Sequence, residues 1–197
     1  MSSIAACLLI MLAVGFLVVE NDASVLPELK TDALVTKDFN LQKKDPCDSP
    51  EKLGLEDGDI PDENIQASSN ARNRPPSKAR LNGPSFWSPA SGPGAWIEVS
   101  LLQSTEVAGV ITQGKAVFFV NTFKVSYKPP SSSRLVYVTE SNGSIKLFDG
   151  GDPYTASTPR THDFDPHVNA HAVRIVITAV HVMPGLRFEV IGCPIDA

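Results

Sequence analysis

The side chains of this sequence that could do chemistry fall into five short segments. Arg72, Arg74, Lys78 and Arg80 place four cations within nine residues, a density suited to phosphate or sulfate. Val117-Phe118-Phe119-Val120 is an unbroken apolar run just after Lys115. His162, Asp163, Asp165, His167 and His171 set three imidazoles and two carboxylates within ten residues, donors of the kind that ligate zinc. Pro166 interrupts them, so no helix can bring His167 and His171 onto one face. Glu56-Asp57-Gly58-Asp59, with Asp62 and Glu63, has the composition of a calcium loop but lacks EF-hand spacing and its terminal bidentate Glu. Asn142-Gly143-Ser144 is an N-glycosylation sequon in a predicted turn. No Ser-His-Asp order, nucleophile elbow or phosphate loop accompanies these segments. The chain is expected to be no enzyme and to need no metal or cofactor.

Cys47 and Cys193 bracket nearly all of the patterned sequence, while Cys7 lies in an apolar leader. The pair reads as one disulfide joining the two ends of a secreted domain, and loss of Cys7 with the leader resolves the odd count. Two unrelated free thiols are the alternative. Against it, Cys193 directly follows a strand-like run and stands four residues before the last residue. Such a bridge persists in oxidising compartments, which places the protein outside the cell.

Ile4 to Val19 is apolar apart from Gly15, short for a bilayer span and of the length of a signal-peptide core. Residues 1–23 are expected to be a signal peptide cleaved after Ala23; a retained membrane anchor is the competing reading. Residues 24–46 are polar, carry Lys43 and Lys44, and read as a propeptide or flexible arm. Residues 47–193 then form one domain, large enough for a real core, and 194–197 a tail. The formal charge is −5; losing the leader removes Glu20 and Asp22 and leaves −3. So mild an acidity does not suit a general nucleic-acid binder.

The elements that must position these residues read as β-strands. Ile97, Val99 and Leu101 alternate with Glu98 and Ser100, and Phe123-Lys124-Val125-Ser126-Tyr127 alternates likewise. Ala172 to Thr178 is rich in β-branched residues. Leu186, Phe188 and Val190 face away from Arg187 and Glu189. Asn82-Gly83-Pro84, Ser91-Gly92-Pro93-Gly94, Lys128-Pro129-Pro130, Asn142-Gly143 and Asp149-Gly150-Gly151 mark turns between them. Short strands with Gly/Pro-rich turns indicate an all-β sandwich or barrel. The expected core is Trp96, Ile97, Val99, Val110, Phe123, Val125, Ile175, Ile177, Phe188 and Val190.

In order along the chain stand Leu53-Gly54-Leu55-Glu56, Ile65-Gln66-Ala67-Ser68-Ser69, Ala79-Arg80-Leu81-Asn82, Trp87-Ser88-Pro89 and Trp96-Ile97-Glu98-Val99. Val107 to Gly114, Phe123 to Tyr127, Phe164-Asp165-Pro166, Val173-Arg174-Ile175 and Leu186 to Cys193 follow. This succession resembles the discoidin domain, the type C domain of coagulation factors V and VIII. The resemblance spans the whole interval between the two cysteines. It implies a discoidin-like eight-stranded jelly-roll barrel with a terminal disulfide. The chain departs from the family pattern at Ser100, Leu135, His171-Ala172 and Val180, and looks shortened over Pro129 to Val138, as a divergent member would.

Domains of this family bind ligands through loops at one end of the barrel, including anionic phospholipids, glycans, collagen and other proteins. The resemblance places Asn70 to Lys78 and Lys115 to Asn121 among those loops. The expected ligand-binding residues are therefore Arg72, Arg74, Lys78, Val117, Phe118 and Phe119. In the alternative reading of the run, Phe118 and Phe119 pack inward, and Arg80 forms a structural ion pair. The expected function is a secreted binding module of cell adhesion or extracellular matrix, recognising an anionic lipid or a protein. The alternative is a discoidin-type lectin for cell-surface glycans, for which Arg72, Arg74 and His181 are the available polar groups. Nucleic acid is not an expected partner. One such domain bridges two ligands only as a homo-oligomer or with help from its N-terminal arm.

Overall fold

The computed structural model describes residues 47–195. The expected signal peptide, the 24–46 arm and the last two residues lie outside them. Eight antiparallel strands form the domain: β1 (Glu51–Lys52), β2 (Ile65–Ala67), β3 (Trp96–Gln113), β4 (Val120–Lys128), β5 (Val136–Tyr137), β6 (Phe148–Asp149), β7 (Arg160–Val180) and β8 (Arg187–Pro194). They pair in the order β1-β8-β3-β7-β4-β5, with β2 added to β3 and β6 to β4. The fold is the expected all-β barrel.

Two long strands organise it. β3 pairs with β2 through its first residues, with β8 through its last, and with β7 along most of its length. Its register slips between Ser100 and Thr105 and again between Val107 and Gly109. Bulges of this kind bend a strand, so one strand can turn a barrel corner and serve three partners. Alternation fills the interior: Ile97, Val99, Val110, Phe123, Val125, Ile175, Ile177, Phe188 and Val190 are all buried. Trp87 and Phe164 complete the core with large side chains.

Trp96 corrects the expected core. Period two places it on the face of Glu98 and Ser100, opposite Ile97, and it is only half-buried. The Arg174 guanidinium lies 3.8 Å above its ring. Arg174 and Lys128 both pair with Glu98, at 2.8 and 2.6 Å. The outer face of β3 is thus closed by a charge-paired cap.

β8 also departs from a simple two-faced strand. Leu186, Phe188 and Val190 are buried, but so are Arg187 and Glu189 on the other face. Glu189 accepts the backbone N–H of Leu55 (3.2 Å) and Glu56 (2.8 Å). Arg80 donates to Leu55 O and Ile60 O, both at 2.8 Å, and pairs with Asp62 at 2.5 Å. The acidic segment 54–62 is therefore fastened to the barrel by one buried carboxylate and one guanidinium. Cys47 and Cys193 are bonded, with Cα atoms 5.4 Å apart across 146 positions. Closing a loop of that length restricts the unfolded chain by about 5 kcal/mol in the chain-entropy account.

Candidate functional site

Three loops meet at one side of the barrel. The first begins where β3 ends. Lys115 N donates to Phe118 O (2.8 Å) and Phe118 N to Lys115 O (3.0 Å), which closes a tight turn around Ala116 and Val117. Ala116 takes a left-handed φ of 52° to make the corner. The turn directs Val117 outward, 52% exposed, leaves Phe118 half-buried and returns Phe119 to the interior.

Phe119 corrects the expected ligand set. It is fully buried, and its ring stacks on His181 with centroids 5.0 Å apart. Gly114 lets it settle there, because a Cβ at that position would lie 2.5 Å from Phe119 Cβ. Adjacent residues entering a strand point to opposite faces, so the two phenylalanines could not both be wet.

The second loop, between β7 and β8, presents Val182 and Met183 at 64% and 48% exposure. A backbone bridge joins Phe118 to Met183, so the two loops are neighbours. Gly185 permits this approach; a Cβ there would lie 2.8 Å from Phe118 Cβ. Val182 and Met183 were not among the residues the sequence pointed to. Their signal was present, as an apolar pair set between the end of a strand and a Pro-Gly turn.

The third loop supplies charge. Phe118 stacks on Phe86 at 5.3 Å, and the Arg74 guanidinium sits 4.0 Å over the Phe86 ring. Arg74 also donates to Ser85 Oγ at 2.8 Å, so its head group is held in place. Arg72 is exposed and has no ion-pair partner among the described residues. Lys115 reaches the carbonyl of Pro84 beside the same turn. Buried Arg187 locks the base of the site by donating to Gly83 O (2.8 Å) and Gly114 O.

Lys78 stands slightly apart. With Ser77, Arg80, Ser85, Glu56 and Asp62 it lines a polar cleft of about 280 Å³. The carboxylates there are already engaged. Asp62 pairs with Arg80, and Glu56 takes Asn82 Nδ2 at 2.7 Å and the Lys52 ammonium. The Asn82 hydrogen bond, with Lys52 beside it, lowers the Glu56 pKa.

The histidines separate. His162 is buried edge-on against Phe123 and Phe148, with Nε2 2.8 Å from Thr112 Oγ1. Burial, with Arg160 nearby, lowers its pKa to about 4. His167 Nδ1 lies 3.1 Å from Glu106 Oε1, and His171 Nδ1 lies 3.0 Å from Pro129 O. Among the described residues no group of three or more metal-ligating side chains converges.

Residues 64–190 match the F5/8 type C domain family. The chain belongs to this family. It is 33% identical over 163 residues to chicken (Gallus gallus) neuropilin-1, covering 77% of this chain and 17% of that protein. Human EGF-like repeat and discoidin I-like domain-containing protein 3 is 32% identical over 162 residues, covering 75% of this chain and 33% of the relative. Mouse coagulation factor VIII is 32% identical over 157 residues, 75% of this chain and 7% of the factor. The chain thus spans a third or less of the length of these curated relatives. Among solved structures, discoidin II of Dictyostelium discoideum superposes with a TM-score of 0.58 at 17% identity, over 68% of this chain and 56% of that one. The barrel is kept across that sequence distance, and in this chain two adjoining loops at its rim expose Val117, Val182 and Met183.

Proposed function

We propose that this F5/8 type C domain is an extracellular binding module that recognises an anionic interface through the Lys115–Phe118 and His181–Met183 loops. The observation that carries the reading is the exposure of Val117, Val182 and Met183 on two adjoining loops, with Lys115 in the first turn, Arg74 stacked on Phe86 next to Phe118, and exposed Arg72 two residues before Arg74. Exposed aliphatic side chains at a loop tip mark an interaction surface more often than a random one. Each basic residue near an anionic surface adds about 1 kcal/mol of attraction. Apolar tips with cations behind them suit phospholipid, where the aliphatic groups enter the acyl boundary and the cations meet the headgroups. Arg74 is held near the Phe118 turn by its stack on Phe86 and its hydrogen bond to Ser85 Oγ. Extracellular residence is supported by the Cys47–Cys193 bridge and by the leader-like sequence of residues 1–23.

The polar cleft around Lys78, Arg80 and Ser85 favours a second reading, a lectin that binds sugar hydroxyls. No aromatic side chain lines that cleft, so the stacking platform on which sugars usually rest is lacking there. Purified domain applied to phosphatidylserine vesicles, phosphatidylcholine vesicles and a glycan array separates the two. Salt-sensitive binding to the phosphatidylserine vesicles alone is the expected result. Binding to glycans with no vesicle binding would replace the lipid reading by the lectin reading.

A further inference from the structure

The hairpin between β5 and β6 carries two features that the loop-end site does not use. The first is its crown. Glu140 N donates to Ser144 O (2.8 Å) and Gly143 N to Glu140 O (2.9 Å), with Gly143 at a left-handed φ of 82°. Asn142 therefore stands exposed at the tip of a tight turn. Its Oδ1 accepts from Ser144 N (2.9 Å) and from Ser144 Oγ (2.7 Å). Among the described residues its Nδ2 has no hydrogen-bond partner, so none of them engages the nitrogen that an oligosaccharide would occupy, and the carboxamide is already oriented.

The second feature is apolar exposure on one face of the same hairpin. Thr139 pairs with Ile145, which fixes the register. Alternation then puts Tyr137, Thr139, Ile145 and Leu147 on one face and Val138 and Phe148 on the other. Val138 and Phe148 are buried, whereas Tyr137, Ile145 and Leu147 are 38%, 43% and 54% exposed. β5 is also the last strand of the sheet. A terminal strand beside exposed aliphatic groups invites pairing with another chain unless something blocks it.

We infer that Asn142 carries an N-linked oligosaccharide and that this glycan shields the Tyr137–Ile145–Leu147 face from other chains. The inference rests on the extracellular reading, because the transfer takes place in the secretory pathway. The donor is a lipid-linked oligosaccharide pyrophosphate. Asn142 Nδ2 forms a bond to the anomeric carbon, the bond from that carbon to the pyrophosphate oxygen breaks, the lipid pyrophosphate leaves with the electron pair, and Nδ2 gives up one proton. The Ser144 hydroxyl binds Oδ1, which leaves Nδ2 available to react. The sugar then projects from the crown, three residues from Ile145, where bulky hydrated groups obstruct edge-to-edge approach.

The test expresses the full chain in secretory animal cells, with Asn142→Gln, Ser144→Ala and Ser144→Thr variants alongside. Peptide-N-glycosidase should convert Asn142 to Asp in the wild type and in Ser144→Thr, and should find no glycan in Asn142→Gln or Ser144→Ala. The two unglycosylated proteins should bind hydrophobic dye about twofold more strongly, or beyond, and sediment partly as dimers or larger species. Adding Ile145→Ser and Leu147→Ser to Asn142→Gln should return it to monomer. Secreted wild type without the Asp signature overturns the inference while leaving the extracellular reading intact. A chain that stays in the cytosol overturns both. Glycosylated wild type whose Asn142→Gln variant is equally monomeric and dye-silent overturns the shielding role.

Discussion

Changing Val117, Val182 and Met183 together to serine removes the apolar part of the loop tips and little else. These side chains are 52%, 64% and 48% exposed, so roughly half of each surface is still available for burial by a ligand. Full burial of such a side chain is worth about 1.5–3 kcal/mol, which leaves about 1 kcal/mol per residue to be gained on binding. Three residues then supply about 3 kcal/mol, or about a hundredfold in affinity at 1.4 kcal/mol per tenfold. Stability should hardly respond, because exposed substitutions away from special backbone positions change it by about 0.5 kcal/mol or less each. The assay is co-sedimentation with phosphatidylserine vesicles, paired with thermal unfolding of the same preparation. The expected outcome is about a hundredfold weaker binding at an unchanged melting temperature. Residual salt-dependent attraction should remain from Arg72, Arg74 and Lys115. A folded triple variant that binds within about threefold of wild type would refute the reasoning, since less than 1 kcal/mol would then come from surface that should supply three.

Phe119→Ala should behave in the opposite way, costing about 3–5 kcal/mol of stability in urea unfolding with no binding defect beyond the loss of folded protein. Glu189→Ala strands the N–H groups of Leu55 and Glu56 and should cost about 2–4 kcal/mol in the same measurement, with Glu189→Gln milder because one carbonyl acceptor survives. His162 gives a pH dependence. Its folded pKa of about 4 lies below the unfolded value near 6.5, so the unfolded chain takes up the extra proton first. Stability should therefore fall as pH drops from about 6.5 to 4, by up to about 3 kcal/mol, and His162→Phe should flatten that window in pH-resolved thermal scans.

The sequence by itself determined the fold class and the closure of the domain. Strict alternation at Ile97-Val99-Leu101 and at Phe123-Val125 leaves one solution for burying those side chains, a strand with one face inward. The cysteines at the two ends of the patterned region likewise had one partner each once the leader was set aside. What the sequence could not assign was the face of residues whose burial depends on distant elements. Trp96 and Phe119 show the two directions of that failure. Trp96 is large and apolar, yet parity turns it outward, where Arg174, distant in sequence on β7, covers it. Phe119 lies in an apolar run that reads as a loop tip, yet it turns inward because His181 and the open space at Gly114 receive it. Glu189 reads as a solvent-facing residue of an alternating strand; only the segment around Leu55, folded over β8, gives its carboxylate the donors that make burial tolerable. The candidate site follows the same rule. Arg72, Arg74 and Val117 were legible as cations and an apolar group in loops. Val182 and Met183, more than sixty residues further along, joined them only when β3, β7 and β8 brought the two turns side by side. Local pattern decides how a strand presents its side chains, and long-range pairing decides which of them share a surface.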